Sequence, residues 1–340
     1  MIVFVGNVLS NKGRAISYTE FLVGRLKEST SEDLQLVSGY KNKLLRVIDA
    51  VFFLIYNRRK INLIVIDTFS TSAFYYAYVV ARLCILMKKR YVLVLHGGNL
   101  PQRYKRSPAS MKLVFDGAFK IISPSFYLSE FFQSEGFSVQ IIPNALEIRH
   151  YQYKNRCGIE PNILWVRAFD LIYNPILALR ALRLVLLKFP LARLTMVGPV
   201  KDSSFQECVE YVKLHGLEDS VLFKGLLTRE QWVQDSTEYD IFLNTTTIDN
   251  QPLSLLEAMA LGFLVISTNV GGIPFLVEHG QNGLLVPSAD ERAMADAIIS
   301  LLELDSKSQS ALSERARTFA ELFDWKNVEL KWLTLLNQNQ

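Results

Sequence analysis

The chain, 340 residues long, reads as an α/β protein made of two units, each a parallel sheet covered by helices. Short apolar runs alternate with longer helical patterns from end to end. The runs are nearly continuous rather than polar on every second residue, as expected for strands buried on both faces. The alternation stops once, in the polar stretch "KNRCGIEPN" after Tyr153, and then starts afresh, which marks a domain boundary near residue 156. A chain of this length is also too long for one comfortable core.

In the first half the strand candidates are "MIVFVG" from Met1, "LQLVSG" from Leu34, "LIVIDT" from Leu63, "YVLVLHG" from Tyr91, "KIISPS" from Lys120 and "VQIIPN" from Val139. The second series runs "ILWVRAF" from Ile163, "RLTMVGP" from Arg193, "VLFKGLL" from Val221, "IFLNTT" from Ile241, "LVISTN" from Leu264 and "GLLVPS" from Gly283. The expected domains are 1–155 and 156–320, each with a ligand crevice at its strand carboxyl ends. A terminal helix is expected over 321–340, where Phe323, Trp325, Val328 and Trp332 recur at helical spacing.

Half of the residues are hydrophobic and 21% are charged, a folded composition. Met1 leads straight into a strand with no secretory leader pattern, so a cytoplasmic location is expected. Cys84, Cys157 and Cys208 are too scattered for a disulfide framework or a zinc pattern. The net charge is +4, with basic residues grouped in the first third. "KNKLLRVIDAVFFLIYNRRK" has basic ends around an apolar middle, and "MKKRY" follows another apolar run. Neither run reaches the ~20 apolar residues that cross a bilayer. Two readings stay open: a peripheral helix on the cytoplasmic face of an anionic membrane, or buried helices with solvated ends. No nucleic-acid partner is expected.

Several chemistries lack their motifs. There is no G-x-G-x-x-G after the first strand, no P-loop, no Asp-x-Asp after a strand, no H-E-x-x-H and no G-x-S-x-G, so no cofactor or metal is expected. One dense cluster remains, around "DNQPLSLLEAMALG" from Asp249 to Gly262. Locally, Ser254 and Glu257 read as an S-x-x-E capping box, a device worth about 1 kcal/mol. The same helix start could instead meet a diphosphate through the N–H groups of Leu253 and Ser254, with Pro252 fixing the approach. Gly271 and Gly272 would let backbone come close to a ligand.

These residues carry a resemblance. Asp249, seven residues, Glu257, "AMALGFLVISTNVGGIP" and "GLLV" resemble the donor site of the retaining glycosyltransferases of family 4 (group 1), which have the GT-B fold of two facing Rossmann-like domains. "LHGGNLP", "SPSFYLSEFF", "IIPNALE", "WVRAF" and "FKGLLTRE" stand in that family's order. The resemblance implies an acceptor-binding first domain, a donor-binding second domain and a C-terminal helix packing back across both. It implies a sugar moved with retention from a nucleoside diphosphate sugar, a UDP-sugar rather than a GDP-sugar, to a saccharide or lipid-linked saccharide, without metal. Glu257 would hold the ribose, Asp249 the transferred sugar, Arg167 the diphosphate, and His96 would lie by the anomeric centre. Gly97, Gly98, Asn99, Arg103 and Arg106 fall on the acceptor side, and Gly13 is what remains of the family's N-terminal glycine loop.

Departures from the pattern are equally visible. Asp249 stands for the usual glutamate, Pro252 for a glycine, and Ile172 and Tyr173 where a lysine often follows the arginine. A nucleotide-sugar epimerase and a non-catalytic sugar-nucleotide-binding module are the alternatives.

Overall fold

The computed structural model describes residues 1–6, 8, 16–37, 39, 40 and 42–338. Two compact units divide the chain: Met1–Asn144 with Lys326–Gln340, and Ala145–Trp325. Each contains one six-stranded parallel sheet.

In the first unit the strands are β1 (Ile2–Val5), β2 (Leu34–Val37), β3 (Leu63–Thr68), β4 (Tyr91–Leu95), β5 (Lys120–Ser123) and β6 (Val139–Ile141), in the order β2-β1-β3-β4-β5-β6. Every expected run forms its strand. All residues of β1, β3 and β4 are buried, which explains their apolar runs, interrupted only at the carboxyl end of β3 by Asp67 and Thr68. Helices α1 (Tyr18–Ser29), α2 (Lys43–Tyr56), α3 (Phe74–Leu86), α4 (Leu100–Arg106), α5 (Pro108–Asp116) and α6 (Phe126–Ser134) link them. A Ser17–Glu20 capping box starts α1, each side chain meeting the other's backbone N–H.

The second unit holds β7 (Asn162–Val166), β8 (Arg193–Val197), β9 (Val221–Gly225), β10 (Ile241–Asn244), β11 (Leu264–Thr268) and β12 (Leu284–Val286), ordered β12-β11-β10-β7-β8-β9. Its helices are α7 (Pro175–Val185), α8 (Ser204–Leu214), α9 (Arg229–Asp235), α10 (Leu253–Ala260), α11 (Glu291–Glu303) and α12 (Ser306–Glu321). One core contains Trp165, Leu182, Met196 and Ile298; a second contains Leu164, Phe242, Leu256 and Phe263. Strand order reverses between β7 and β10, the position at which open α/β sheets place a ligand crevice at the strand carboxyl ends.

The segment 145–155, expected in the first domain, packs with the second unit. Leu146, Ile148 and Tyr151 sit in the core with Leu255 and Met259. Arg156 fastens the segment. Its fully buried guanidinium donates to the carbonyls of Lys154 at 2.8 Å, Ser236 at 3.0 Å, Tyr239 at 3.2 Å and Leu261, and lies over the Phe263 ring. Burial lowers its pKa to about 10, with Asp240 opposing the shift.

The chain end also departs from expectation. No single helix covers 321–340: α12 ends at Glu321 and α13 (Trp325–Asn337) begins after a break. Residues 323–325 turn aside to pair with Leu146, which donates to the Phe323 carbonyl at 2.8 Å and accepts from the Trp325 N–H at 2.7 Å. Those two bonds replace the helical ones. Trp325, Val328 and Trp332 are buried as expected.

Candidate functional site

The second unit gathers its polar side chains where β7, β10 and β11 end. Arg167 follows β7, and its Nη2 meets Asp249 Oδ2 at 2.5 Å, an ion pair in which both side chains are largely buried. Such a charge-assisted bond fixes the guanidinium plane. The guanidinium also lies over the Tyr173 ring, 4.8 Å from its centroid. Burial raises the Tyr173 pKa, Arg167 opposes the rise and Asp249 adds to it, so the phenol stays protonated at neutral pH.

The place of the absent lysine is thus filled by a ring that packs on the arginine. Threonines after β10 hold this segment. Thr245 Oγ1 donates to the Tyr173 carbonyl at 2.7 Å, while Thr246 and Thr247 donate to that of Ile172.

Asp249 is oriented from its other side as well. Its Oδ1 accepts from the Asn250 N–H at 2.8 Å, and its carbonyl accepts from the Gly272 N–H at 2.9 Å. The two glycines serve that contact. A Cβ on Gly271 would lie 2.1 Å from the Asp249 carbonyl oxygen, and one on Gly272 would lie 1.8 Å from that of Asn250. The close partner of Gly271 and Gly272 is therefore the chain's own backbone, and Gly271 also has a φ of +55°. Gly198, not singled out in the sequence, does the same for Arg167: an added Cβ would overlap the Arg167 carbonyl oxygen at 1.7 Å.

The capping box at Ser254 and Glu257 does not form. Pro252, with φ −68°, is the cap of α10 and starts the helix one residue before Ser254. Ser254 therefore lies inside the first turn with its Oγ buried and unpartnered, and Glu257 sits too deep to cap. Among the described residues, the N–H groups of Leu253 and Ser254 find no acceptor. The helix start thus presents free donors and the positive end of its dipole.

Glu257 is buried and spoken for on one oxygen. Its Oε1 accepts from the Tyr151 hydroxyl at 3.0 Å and pairs with Arg229 Nε at 2.8 Å. Burial opposes the Arg229 charge, but Glu257, followed by Tyr151, more than offsets it and its pKa is raised. Burial and the neighbouring carboxylate push the Tyr151 phenol well above its usual range. Sequence reasoning missed both partners. Arg229 stands inside the quoted "FKGLLTRE", whereas Tyr151 lies in the segment assigned to the other domain.

In the first unit, His96 follows β4 and its Nε2 lies 2.9 Å from Oδ1 of Asp67 at the end of β3. Asp67 Oδ2 accepts from Thr19 Oγ1 at 2.5 Å, and the imidazole stacks on Phe69. Gly97 is required by proximity, since a Cβ there would lie 2.5 Å from the Ser70 nitrogen. Gly98 continues the turn to Asn99, which caps α4 without a side-chain bond. Arg103 packs within its own unit: Nη1 donates to the Ser70 carbonyl at 3.1 Å and the guanidinium covers Phe74. Arg106 is exposed in the last turn of α4. Gly13 lies outside the described residues.

The helices of this unit are unusually greasy on the outside. Leu44, Ile48, Phe52 and Tyr56 of α2 are exposed, Phe52 by 70% and Tyr56 by 77%, as are Tyr75 and Leu86 of α3. Arg58, Arg59, Lys60 and Lys88 follow the two helices as exposed cations. Among the described residues of α2, Ala50 and Leu54 enter the core and Phe53 packs against it, so the picture of a fully buried helix does not hold for α2. Among the described residues no helix is long and apolar enough to cross a membrane.

Comparison with known proteins agrees with this layout. Residues 160–304 match the family model of the glycosyl transferases group 1. The chain is 36% identical over 126 residues to N-acetyl-alpha-D-glucosaminyl L-malate synthase of Bacillus anthracis, covering 37% of this chain and 32% of that protein. It is 23% identical over 251 residues to D-inositol 3-phosphate glycosyltransferase of Paenarthrobacter aurescens, covering 69% and 61%. The chain thus spans less than two thirds of the length of these curated relatives. Among solved structures, Anabaena HepE in complex with UDP-glucose superposes with a TM-score of 0.80 at 18% identity, over 99% of both chains. Sucrose-phosphate synthase from Thermosynechococcus elongatus does so with a TM-score of 0.81 at 17% identity, over 99% of this chain and 98% of that one. These likenesses fix the fold as GT-B. In motif order, in its two parallel sheets and across residues 160–304, the chain is similar to the glycosyl transferases group 1.

Proposed function

We propose that the chain transfers a sugar, with retention and without metal, from a nucleoside diphosphate sugar to a saccharide or lipid-linked saccharide in glycoconjugate assembly. The observation that carries this is the Arg167–Asp249 pair together with the open start of α10, both following strands on either side of the point where strand order reverses. A guanidinium and free helix N–H groups suit a diphosphate, and a fixed carboxylate suits sugar hydroxyls. The second unit is the donor domain in this reading, and the first the acceptor domain. UDP is favoured over GDP because HepE was solved with UDP and UDP-glucose.

In the proposed reaction the bond between the anomeric carbon and the diphosphate oxygen breaks. The acceptor oxygen bonds to the same face of that carbon, and its proton passes to the leaving phosphate. Arg167 and the helix dipole stabilise the charge that grows there, and stabilisation of this kind supplies most of the rate enhancement in such transfers. Asp249 holds the sugar, Glu257 offers its second oxygen to the ribose, and His96, steadied by Asp67, is the proposed catalytic residue of the first unit. The exposed apolar face of α2 with its flanking cations supports peripheral contact with an anionic membrane.

The test is a thermal-shift screen with UDP, GDP, ADP and their sugar conjugates, without added metal. A ligand at about a hundred times its dissociation constant adds about 2.7 kcal/mol of stability. A shift with UDP compounds alone is expected. No shift with any nucleotide would remove the reading, and turnover of the nucleotide sugar without an acceptor into an isomeric one would replace it with an epimerase.

A further inference from the structure

The first unit contains a cavity of about 420 Å³ that the donor chemistry does not use. Gly6, Asp67 and Phe69 lie at its inner end, by the strand termini, and Val47, Tyr75 and Val79 of α2 and α3 form its walls. The walls are mainly apolar, Arg46 of α2 and Ser72 excepted, whereas the inner end holds the buried Asp67 carboxylate that fixes His96. Leu44 lines the outer part and is itself exposed, so the cavity runs on into the uncovered apolar face of α2. An occupant must therefore be polar at one end and hydrocarbon along its length. The exposed Arg58, Arg59, Lys60 and Lys88 beyond both helices add a field that favours an anionic lipid surface as its source.

We propose that this cavity takes the hydrocarbon chain of an amphiphilic acceptor, whose hydroxyl-bearing head then lies beside Asp67 and His96. This deepens the glycosyltransferase reading and rests on it. It narrows the acceptor class from saccharides in general to those carrying an apolar chain. Burying that chain supplies binding energy in proportion to its length, which a bare sugar cannot draw on.

The experiment titrates the full chain with n-octyl β-D-glucoside below its micellar concentration and with methyl β-D-glucoside. UDP binding is followed in parallel. The octyl compound is expected to bind at least about tenfold more tightly, given the added methylenes. Val79→Trp, which fills the cavity from its rim, should abolish that preference while the UDP response stays unchanged. Phe52→Ser, on the exposed face of α2, should keep both.

Equal binding of the two glucosides, or a preference that survives Val79→Trp, would overturn the proposal. So would a preference lost in Phe52→Ser alone, since the chain would then lie on the surface. In the unaltered protein, a glucoside with a diazirine at its chain terminus should label peptides of α2 and α3, and labelling elsewhere would equally overturn it. Loss of UDP binding in the unaltered protein would instead strike the glycosyltransferase reading, leaving the cavity result to stand by itself.

Discussion

The two units share one architecture and present opposite surfaces at their strand ends. In the second, the candidate site's ionic side chains are already paired: Arg167 with Asp249, and Glu257 with Arg229 and the Tyr151 hydroxyl. In the first, one carboxylate–imidazole pair sits beside an apolar cavity and helices whose large side chains face outward. A diphosphate is a small, fixed pattern of charge, and preorganised ions recognise it at little reorganisation cost. An acceptor with a variable apolar part needs area instead, which exposed Leu, Ile and Phe provide. In the proposed reading the two halves divide the work into electrostatic and hydrophobic recognition.

The largest expected effect breaks the electrostatic side. Arg167→Ala should lower kcat by about 10²- to 10³-fold, the range for removing a preorganised donor, while binding of uridine, which lacks phosphate, is kept. Single-turnover kinetics with a nucleoside titration check this, and equal loss of both would deny Arg167 its phosphate role.

Next, Glu257→Ala strands the Tyr151 hydroxyl and Arg229 and should cost about 1–3 kcal/mol of stability, together with nucleotide affinity. Chemical denaturation and UDP titration separate the two losses. A purely structural role would leave UDP affinity intact at temperatures where the variant is folded.

On the hydrophobic side, Phe52→Ser should weaken partition onto anionic vesicles by about tenfold, from the aromatic area it removes. Sedimentation with and without added salt reads this, and unchanged partition would mean that α2 faces some other surface.

A pH effect treats the units alike. Burial pushes Cys84 and Cys208, one in each unit, from an ordinary 9.0 up to about 12. Groups raised in the fold contribute stability that is complete below the unfolded pKa and lost as pH rises through the folded one. Urea midpoints should therefore decline between about pH 9 and 12. Near neutral pH the exposed Cys157 should react with a thiol reagent while the other two stay protected.

Strand positions were legible because burial on both faces leaves the stretch "LIVI" of β3 no polar position, polar residues entering only at the strand's carboxyl end, where Asp67 meets His96. Arg167 and Asp249 were legible as residues, but their mutual ion pair was not, since residues 82 apart in sequence meet only through strand order. The Ser254–Glu257 motif misled because local spacing cannot reveal that Pro252 starts the helix earlier. Ser17–Glu20 has the same S-x-x-E spacing and does form a box. Arg156 escaped notice in a polar linker, where a charged residue normally signals solvent rather than four buried carbonyls.

Gly198, Gly271 and Gly272 give the site a property that a mutational scan would register oddly. Each would be intolerant of every replacement, yet the atoms that forbid a side chain belong to the protein's own backbone. Intolerance there would measure how tightly the loops interlock. Tolerance at Leu253, whose contribution is a main-chain N–H, would by contrast conceal a position proposed to face the phosphate.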